Sequence, residues 1–325
     1  MTHNNWKHRW IQAGAPHHLL SITDLNSEAA RVVLQLAHAM KRATREGREL
    51  FRFERPTVVA MIFEKPSLRT RVTFEVGLHQ MGAHGTYLTQ ADIQMGKREA
   101  VMDIARNLGR WVQGIVARVY YHSVLGELAQ FAGVPVINAL SDHEHPCQAL
   151  ADLMTIQERK GEDAQTLAWV GDGNNVCHSF ILLGTLLGHT VRVATPEGYE
   201  PDEAVVAQAQ RNAAQSGGQL FLTHSPQEAV SNADVVYTDV WVSMGFETER
   251  EIRMRHFQPF QVNRALLALA KPDAIVLHCL PARRGEEITN EVLDGEQSAV
   301  WDQAENRLHT QKALLALMLS ASGCE

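Results

Sequence analysis

Short β-branched and apolar runs alternate with amphipathic stretches along nearly the whole chain, and this alternation restricts the fold more than any other feature. "TVVAMIF" (57–63), "GTYL" (85–88), "GIVARVYY" (114–121) and "VPVINA" (134–139) are separated by helical patterns such as "LRTRVTFEVGLHQM" and "DIARNLGRWV". After the helical "PCQALADLMTIQERKG" the pattern restarts with "TLAWVGD" (166–172), "TVRVATP" (190–196), "GQLFLT" (218–223), "DVVYTDVW" (234–241) and "DAIVLHCLP" (273–281). Strands alternating with helices predict βα units and parallel sheets, so the expected class is α/β, with two domains that are each a parallel β-sheet flanked by helices. A chain of 325 residues exceeds the usual size of one hydrophobic core, which agrees with two. "ERKGEDAQ" is a polar break between the two sets of strands, giving expected domains of 1–149 and 150–306. "AENRLHTQKALLALMLSAS" closes the chain as a helix, residues 307–325, expected to pack back on the N-terminal domain.

The bulk chemistry excludes several classes. A formal net charge of −7 argues against nucleic acid as a partner, because a phosphate backbone demands clustered basic surface. No run of about 18 apolar residues occurs, and "MTHNNWKHRWIQAG" has no apolar leader core, so no membrane is expected and the expected location is cytoplasmic. Cysteines at 147, 177, 279 and 324 lack CxxC spacing and fit free thiols in a reducing compartment. "HEHP" (143–146) is a close His pair, but no Cys or carboxylate cluster completes a tetrahedral set around it, so no metal is expected.

Parallel sheets bind ligands beyond the carboxyl ends of their strands, which directs attention to the residues just after each one. In "FEKPSLRTRVTFE" (63–75) Ser67 is well placed to cap a helix whose first turn holds Arg69, Thr70 and Arg71. A helix N-terminus with guanidinium forks is an anion clamp, whereas the plain alternative is a capped helix with a solvated basic face. No GxxxxGK[ST] loop is present. "GDGNNV" (171–176) invites a dinucleotide reading, but Val176 stands where the third glycine is needed and no strand-end acid follows; Asn174 and Asn175 better suit a polar substrate, and no cofactor is expected. His278 beside Cys279 tempts a thiol mechanism, yet neighbours on a strand point to opposite faces. His145 and Gln148 lie three apart at a helix start, close enough to converge on one ligand.

Ser67-Leu-Arg-Thr-Arg71, Arg118 in "VARVYY", His145-Pro-Cys-Gln148, "GDGNN", "DVWVSMG", "HCLPA" and "AENRLH", in this order, resemble the aspartate/ornithine carbamoyltransferase family from about residue 17 to 320. The first and third motifs are common to both branches; Asp239 with Ser243-Met244-Gly245, and His278-Cys279-Leu280-Pro281, are similar to the ornithine branch. The resemblance implies carbamoyl transfer from carbamoyl phosphate to the δ-amine of L-ornithine, giving L-citrulline and phosphate, with no covalent enzyme intermediate. It implies that Ser67, Arg69, Thr70 and the Leu68 backbone hold the phosphate, while Arg118, His145, Gln148, the Thr70 hydroxyl and Arg307 gather round the carbonyl. It assigns Asn175 and the Met244 backbone to the ornithine carboxylate, Asp239 and Ser243 to its α-ammonium, and Cys279 with the Leu280 carbonyl to the δ-amine. Gln94 and Arg98, in "DIQMGKRE", are implied to reach a neighbouring subunit's site in a homotrimer. Leu68, Arg98 and Phe246 depart from the commonest family residues, and Phe246 leaves the shape of the substrate loop open. The same resemblance leaves other acceptors, putrescine or an N-acylated ornithine, and a non-catalytic binding protein as alternatives.

Overall fold

The computed structural model describes residues 3–243 and 247–321, in two compact units. One comprises the residues up to Met154 together with those from Asn306 onward; the other is Thr155–Glu305. The division falls inside the helix Pro146–Lys160 and again inside the last helix, Val300–Ala321.

The first unit is built on four parallel strands, β1 (Val58–Phe63), β2 (His84–Thr89), β3 (Gly114–Arg118) and β4 (Val136–Leu140), in the order β2-β1-β3-β4. Strands β1, β3 and β4 are buried almost throughout, as their near-continuous apolar sequences require of a sheet covered on both faces. Ile62, Ile104, Leu108, Ile115, Leu125 and Leu128 form its apolar cluster. β2 lies at the edge and is only partly covered.

The second unit carries five parallel strands, β5 (Thr166–Val170), β6 (Thr190–Ala194), β7 (Gln219–Thr223), β8 (Val235–Tyr237) and β9 (Ile275–Leu277), in the order β7-β6-β5-β8-β9. The rings of Trp169, Phe180 and Tyr237 pack with centroids 4.8 to 6.0 Å apart, tilted or edge-on, as aromatic quadrupoles favour. β8 and β9 are shorter than the runs "DVVYTDVW" and "DAIVLHCLP" suggest, because Thr238, Asp239, His278 and Cys279 lie beyond the ladder. The opposite-face argument for His278 and Cys279 therefore does not apply: β9 ends at Leu277.

In each sheet the order of strands reverses once, at β1/β3 in the first unit and at β5/β8 in the second. At such a point adjacent loops leave in opposite directions and open a crevice at the carboxyl edge. Among the described residues no helix is long and apolar enough to cross a membrane.

Candidate active site: two half-sites at the strand reversals

At the first reversal, β1 hands over to Ser67 and the helix Arg69–Gln80. The residue in cap position is Leu68, one later than expected, but Ser67 Oγ still accepts from the Thr70 N–H at 3.2 Å. Of the three cations in this stretch, two are occupied elsewhere. Arg71 is exposed, donates to Glu75 Oε1 at 3.0 Å and stacks 3.7 Å from the Tyr87 ring, while Lys65 Nζ sits 4.7 Å from the Tyr120 ring. Arg69 adds its charge to the neighbouring cluster round His145.

Arg118 ends β3 at a register shift, where Ala117 faces Asn138 but Arg118 faces Leu140. A bulge of this kind re-aims one side chain, and here it leaves the Arg118 guanidinium buried beside His145. His145 precedes the helix Pro146–Lys160, whose first residue needs no N–H partner because it is proline. Arg307 donates from one terminal nitrogen to Gln148 Oε1 at 2.6 Å and from the other to Thr70 Oγ1 at 3.0 Å, joining residues 237 positions apart. Gln311, with its amide oxygen turned to Arg307, accepts at 2.9 Å, and Gln148 Nε2 donates to Asp152 at 2.8 Å. Burial, followed by the charges of Arg307, Arg118 and Arg69, holds His145 well below the ordinary histidine pKa. The cluster is thus a neutral imidazole amid three guanidiniums, a setting that attracts an anion and supplies donors to an oxygen gaining charge.

The rest of "HEHP" does structural work. Glu144 accepts from Ser21 Oγ and from the Ile22 N–H, and His143 packs on the His122 ring at 5.3 Å. Gln94 (φ 45°) and Arg98 are exposed on their loop, and among the described residues no hydrogen bond or ion pair ties either side chain to the cluster.

The second reversal has the opposite character. The glycines of "GDGNN" serve the backbone: a Cβ at Gly173 would lie 2.3 Å from the Pro201 nitrogen. Asn174 caps the helix Asn175–Leu186, its Oδ1 taking the N–H groups of Val176 (3.0 Å) and Cys177 (3.1 Å). Those are donors that a pyrophosphate would need, so the cap argues against dinucleotide binding. Asn174 Nδ2 donates to Asp239 Oδ2 at 2.9 Å, and the Cys279 thiol donates to Asp239 Oδ1 at 3.0 Å. Asn174 is thereby a support of Asp239 rather than a group held ready for substrate, and Asn175, partly exposed at the helix start, is the other of the pair.

Behind Cys279, His278 Nδ1 accepts the Leu280 N–H at 2.9 Å and its Nε2 faces Glu287 Oε1 at 3.0 Å, while the His278 backbone N–H donates to Gln303 Oε1. The tautomer is therefore fixed with the proton on Nε2. Ring, glutamate and glutamine hold the turn in which Leu280 adopts φ 59°. Asp239, His278 and Cys279 have ligand atoms within 4.8 Å of one another, yet with both imidazole nitrogens engaged, the set suits hydrogen bonding better than a metal. Nearby, burial pushes the Asp172 carboxyl up to about 6, despite Arg253 at 2.8 Å; Asp239 adds to the rise. Ser243 is partly exposed in the loop after Trp241, and Met244 and Phe246 lie outside the described residues. Asp172, Arg253, Glu287, Gln303 and Gln311 were not legible as site residues, since their roles arise from pairings across distant segments. Asp152 was missed as well, although its place four residues beyond Gln148 on one helix is a signal that could have found it.

Comparison with known proteins finds two family domains in sequence along the chain. The aspartate/ornithine carbamoyltransferase carbamoyl-P binding domain matches residues 17–158, and the Asp/Orn binding domain of the same enzymes matches 163–318. Ornithine carbamoyltransferase of Thermococcus kodakarensis is 53% identical over 302 residues, 93% of this chain and 96% of that protein. The anabolic ornithine carbamoyltransferase of Pyrococcus furiosus is 53% identical with the same coverage. A solved structure of ornithine carbamoyltransferase from Pyrococcus furiosus is similar with TM-score 0.92 and 52% identity, covering 96% of this chain and 99% of that one. The corresponding structure from Gloeobacter violaceus gives 0.85 at 45%, covering 94% and 99%. With both halves of the family matched in order over nearly its whole length, the chain belongs to the aspartate/ornithine carbamoyltransferase family.

Proposed function

We propose that the chain transfers the carbamoyl group of carbamoyl phosphate to the δ-amine of L-ornithine, forming L-citrulline and phosphate. The observation that carries this reading is the contrast of the half-sites: a neutral His145 with Arg69 and Arg118 of the carbamoyl-P binding match and Arg307 of the last helix round it in one, and Asp239 with Cys279 in the other. Ser67, Arg69, Thr70 and the Leu68 N–H hold the phosphate. Arg118, Arg307, His145 and Gln148 face the carbonyl, whose oxygen gains negative charge as the amine attacks. A neutral imidazole donates a hydrogen bond there without needing to be charged first. Asp239 and Ser243 take the α-ammonium, Asn175 and the Met244 backbone the carboxylate, and Cys279 with the Leu280 carbonyl flanks the δ-amine.

The δ-ammonium, with a pKa of about 10, must lose its proton before it attacks. The carbon–nitrogen bond then forms, the tetrahedral intermediate collapses, the carbon–oxygen bond to phosphate breaks, and the nitrogen sheds its extra proton as citrulline forms. When chemistry limits the rate, turnover accordingly rises between pH 6 and 9. A flat profile under that condition contradicts attack by the neutral amine.

The chain works as a cytoplasmic homotrimer in this reading. Leu68, Val72 and Val76 recur every four residues along one helix and are 71%, 43% and 38% exposed, a stripe suited to a second copy. The Gln94–Arg98 loop would complete a neighbour's phosphate site. The test is citrulline-type product formation from carbamoyl phosphate with ornithine, N-acetylornithine, putrescine and aspartate at matched concentrations. Strong preference for ornithine supports the reading, preference for putrescine or N-acetylornithine keeps only its carbamoyl phosphate half, and no turnover with any acceptor refutes it.

A further inference from the structure

A cavity of about 210 Å³ lies in the first unit, away from every residue assigned above to a substrate. It is lined by Met40 and Thr44 near the end of the helix Ser27–Arg45, by residues 47–51 that follow, by Gln80 at the end of the helix Arg69–Gln80, and by Lys312 of the last helix. At roughly 30 Å³ per water it has room for about seven waters, or for one molecule of amino-acid size.

Lys312 gives the cavity its chemistry. It is 8% exposed, and Nζ donates to Gln80 Oε1 at 2.8 Å. An ammonium has three N–H donors, and among the described residues Gln80 is the one group that receives from it. Its stem passes over Gly77, where a Cβ would come within 3.0 Å of Lys312 Cγ. Glycine in a helix interior is less stable than alanine, so the helix gives up stability at the position that lets this lysine through. Burial lowers the Lys312 pKa, and Glu49 opposes the shift. Met40, Leu50 and Phe51 supply an apolar wall, and Arg48 adds a second cation at the rim, held by Glu46.

We propose that this cavity binds a small carboxylate with a short apolar tail, its carboxylate on Lys312 and its tail against Met40, Leu50 and Phe51. A carboxylate takes the remaining ammonium donors and compensates the buried charge, which neither a neutral molecule nor an amine does. The inference does not depend on which acceptor the active site uses.

The test is calorimetric titration of the intact protein with 4-methylpentanoate, L-leucine and 4-methylpentylamine. Both carboxylates should bind at one per chain and the amine should not; Lys312→Met should weaken the carboxylates by about tenfold or more, the loss of one charge-assisted hydrogen bond, with turnover unchanged. Absence of carboxylate binding at millimolar concentration, binding of the amine instead, or undiminished binding to Lys312→Met overturns the proposal. Should that variant fail to fold, lysine acetylation of the native protein, followed by peptide mass spectrometry, decides. 4-Methylpentanoate should slow modification of Lys312 several-fold while leaving exposed Lys97 unaffected, and equal rates at Lys312 with and without it overturn the proposal.

Discussion

The two units solve the same architectural problem with opposite charges. Both present a crevice at the carboxyl edge of a parallel sheet where strand order reverses. The first fills it with Arg69, Arg118 and Arg307 round a histidine held neutral, and the second with Asp239 and Asp172, one braced by Asn174 and Cys279, the other paired with Arg253. The sheet therefore fixes where a ligand sits, while side chains at a few strand ends decide whether that ligand is an anion or a cation. One half is suited to a doubly charged phosphate and the other to an amino acid's ammonium.

The sharpest way to break this contrast is to remove the guanidinium that ties the first half together. Arg307→Met leaves Thr70 Oγ1 and Gln148 Oε1 without their shared donor, and kcat/KM should fall by about 10³-fold or more, measured by initial rates over a carbamoyl phosphate series. A loss under tenfold would remove Arg307 from the reaction. Gly173→Ala attacks the second half through its backbone. The new Cβ meets the main chain at Pro201 rather than a side chain that can swing away, so thermal or denaturant unfolding should show a loss on the order of 3 kcal/mol. Ornithine affinity should suffer while carbamoyl phosphate affinity persists.

Acid stability sharpens the account of His145. Its folded pKa lies below the unfolded value of about 6.5, so the unfolded chain binds a proton that the native state refuses. That contribution is complete above about pH 6.5 and is lost as pH falls, by at most about 1.4 kcal/mol per unit. Comparing wild type with His145→Asn at pH 7 and pH 5.5 should show wild type losing more stability on acidification; parallel losses would mean that the imidazole charges freely. The smallest effect expected on stability is that of Ser67→Ala, which removes the acceptor for the Thr70 N–H and should cost about 1 kcal/mol in unfolding free energy.

Much of this was legible in the sequence because parallel sheets obey local rules. Buried strands read as unbroken apolar runs, and residues after β1, β3, β4, β5, β8 and β9 marked both half-sites. What stayed hidden depends on contacts that sequence spacing does not encode. Arg71 looked equivalent to Arg69 until Tyr87 and Glu75 were seen to engage it. Asn174 resembled a substrate ligand, but its amide is divided between a helix cap and Asp239. Arg253 sits in "REIRMRHF", a stretch with no motif, and acquires meaning only from Asp172, 81 residues earlier. The glycines of "GDGNN" invited a dinucleotide reading that Val176 already opposed, and what spacing could not show is that Gly173 is required by the closeness of residues 199–201.

The division of labour is tested most directly by one pair of titrations on Asp239→Asn: kcat/KM for ornithine, and the Kd of carbamoyl phosphate in the absence of an acceptor. Loss of the carboxylate should lower kcat/KM for ornithine by about 10²-fold or more, the cost of an unpaired charge in a buried site, while the carbamoyl phosphate Kd stays within about twofold. An unchanged kcat/KM, or carbamoyl phosphate affinity that falls in step with it, would contradict the assignment of anion and cation recognition to separate halves of the chain.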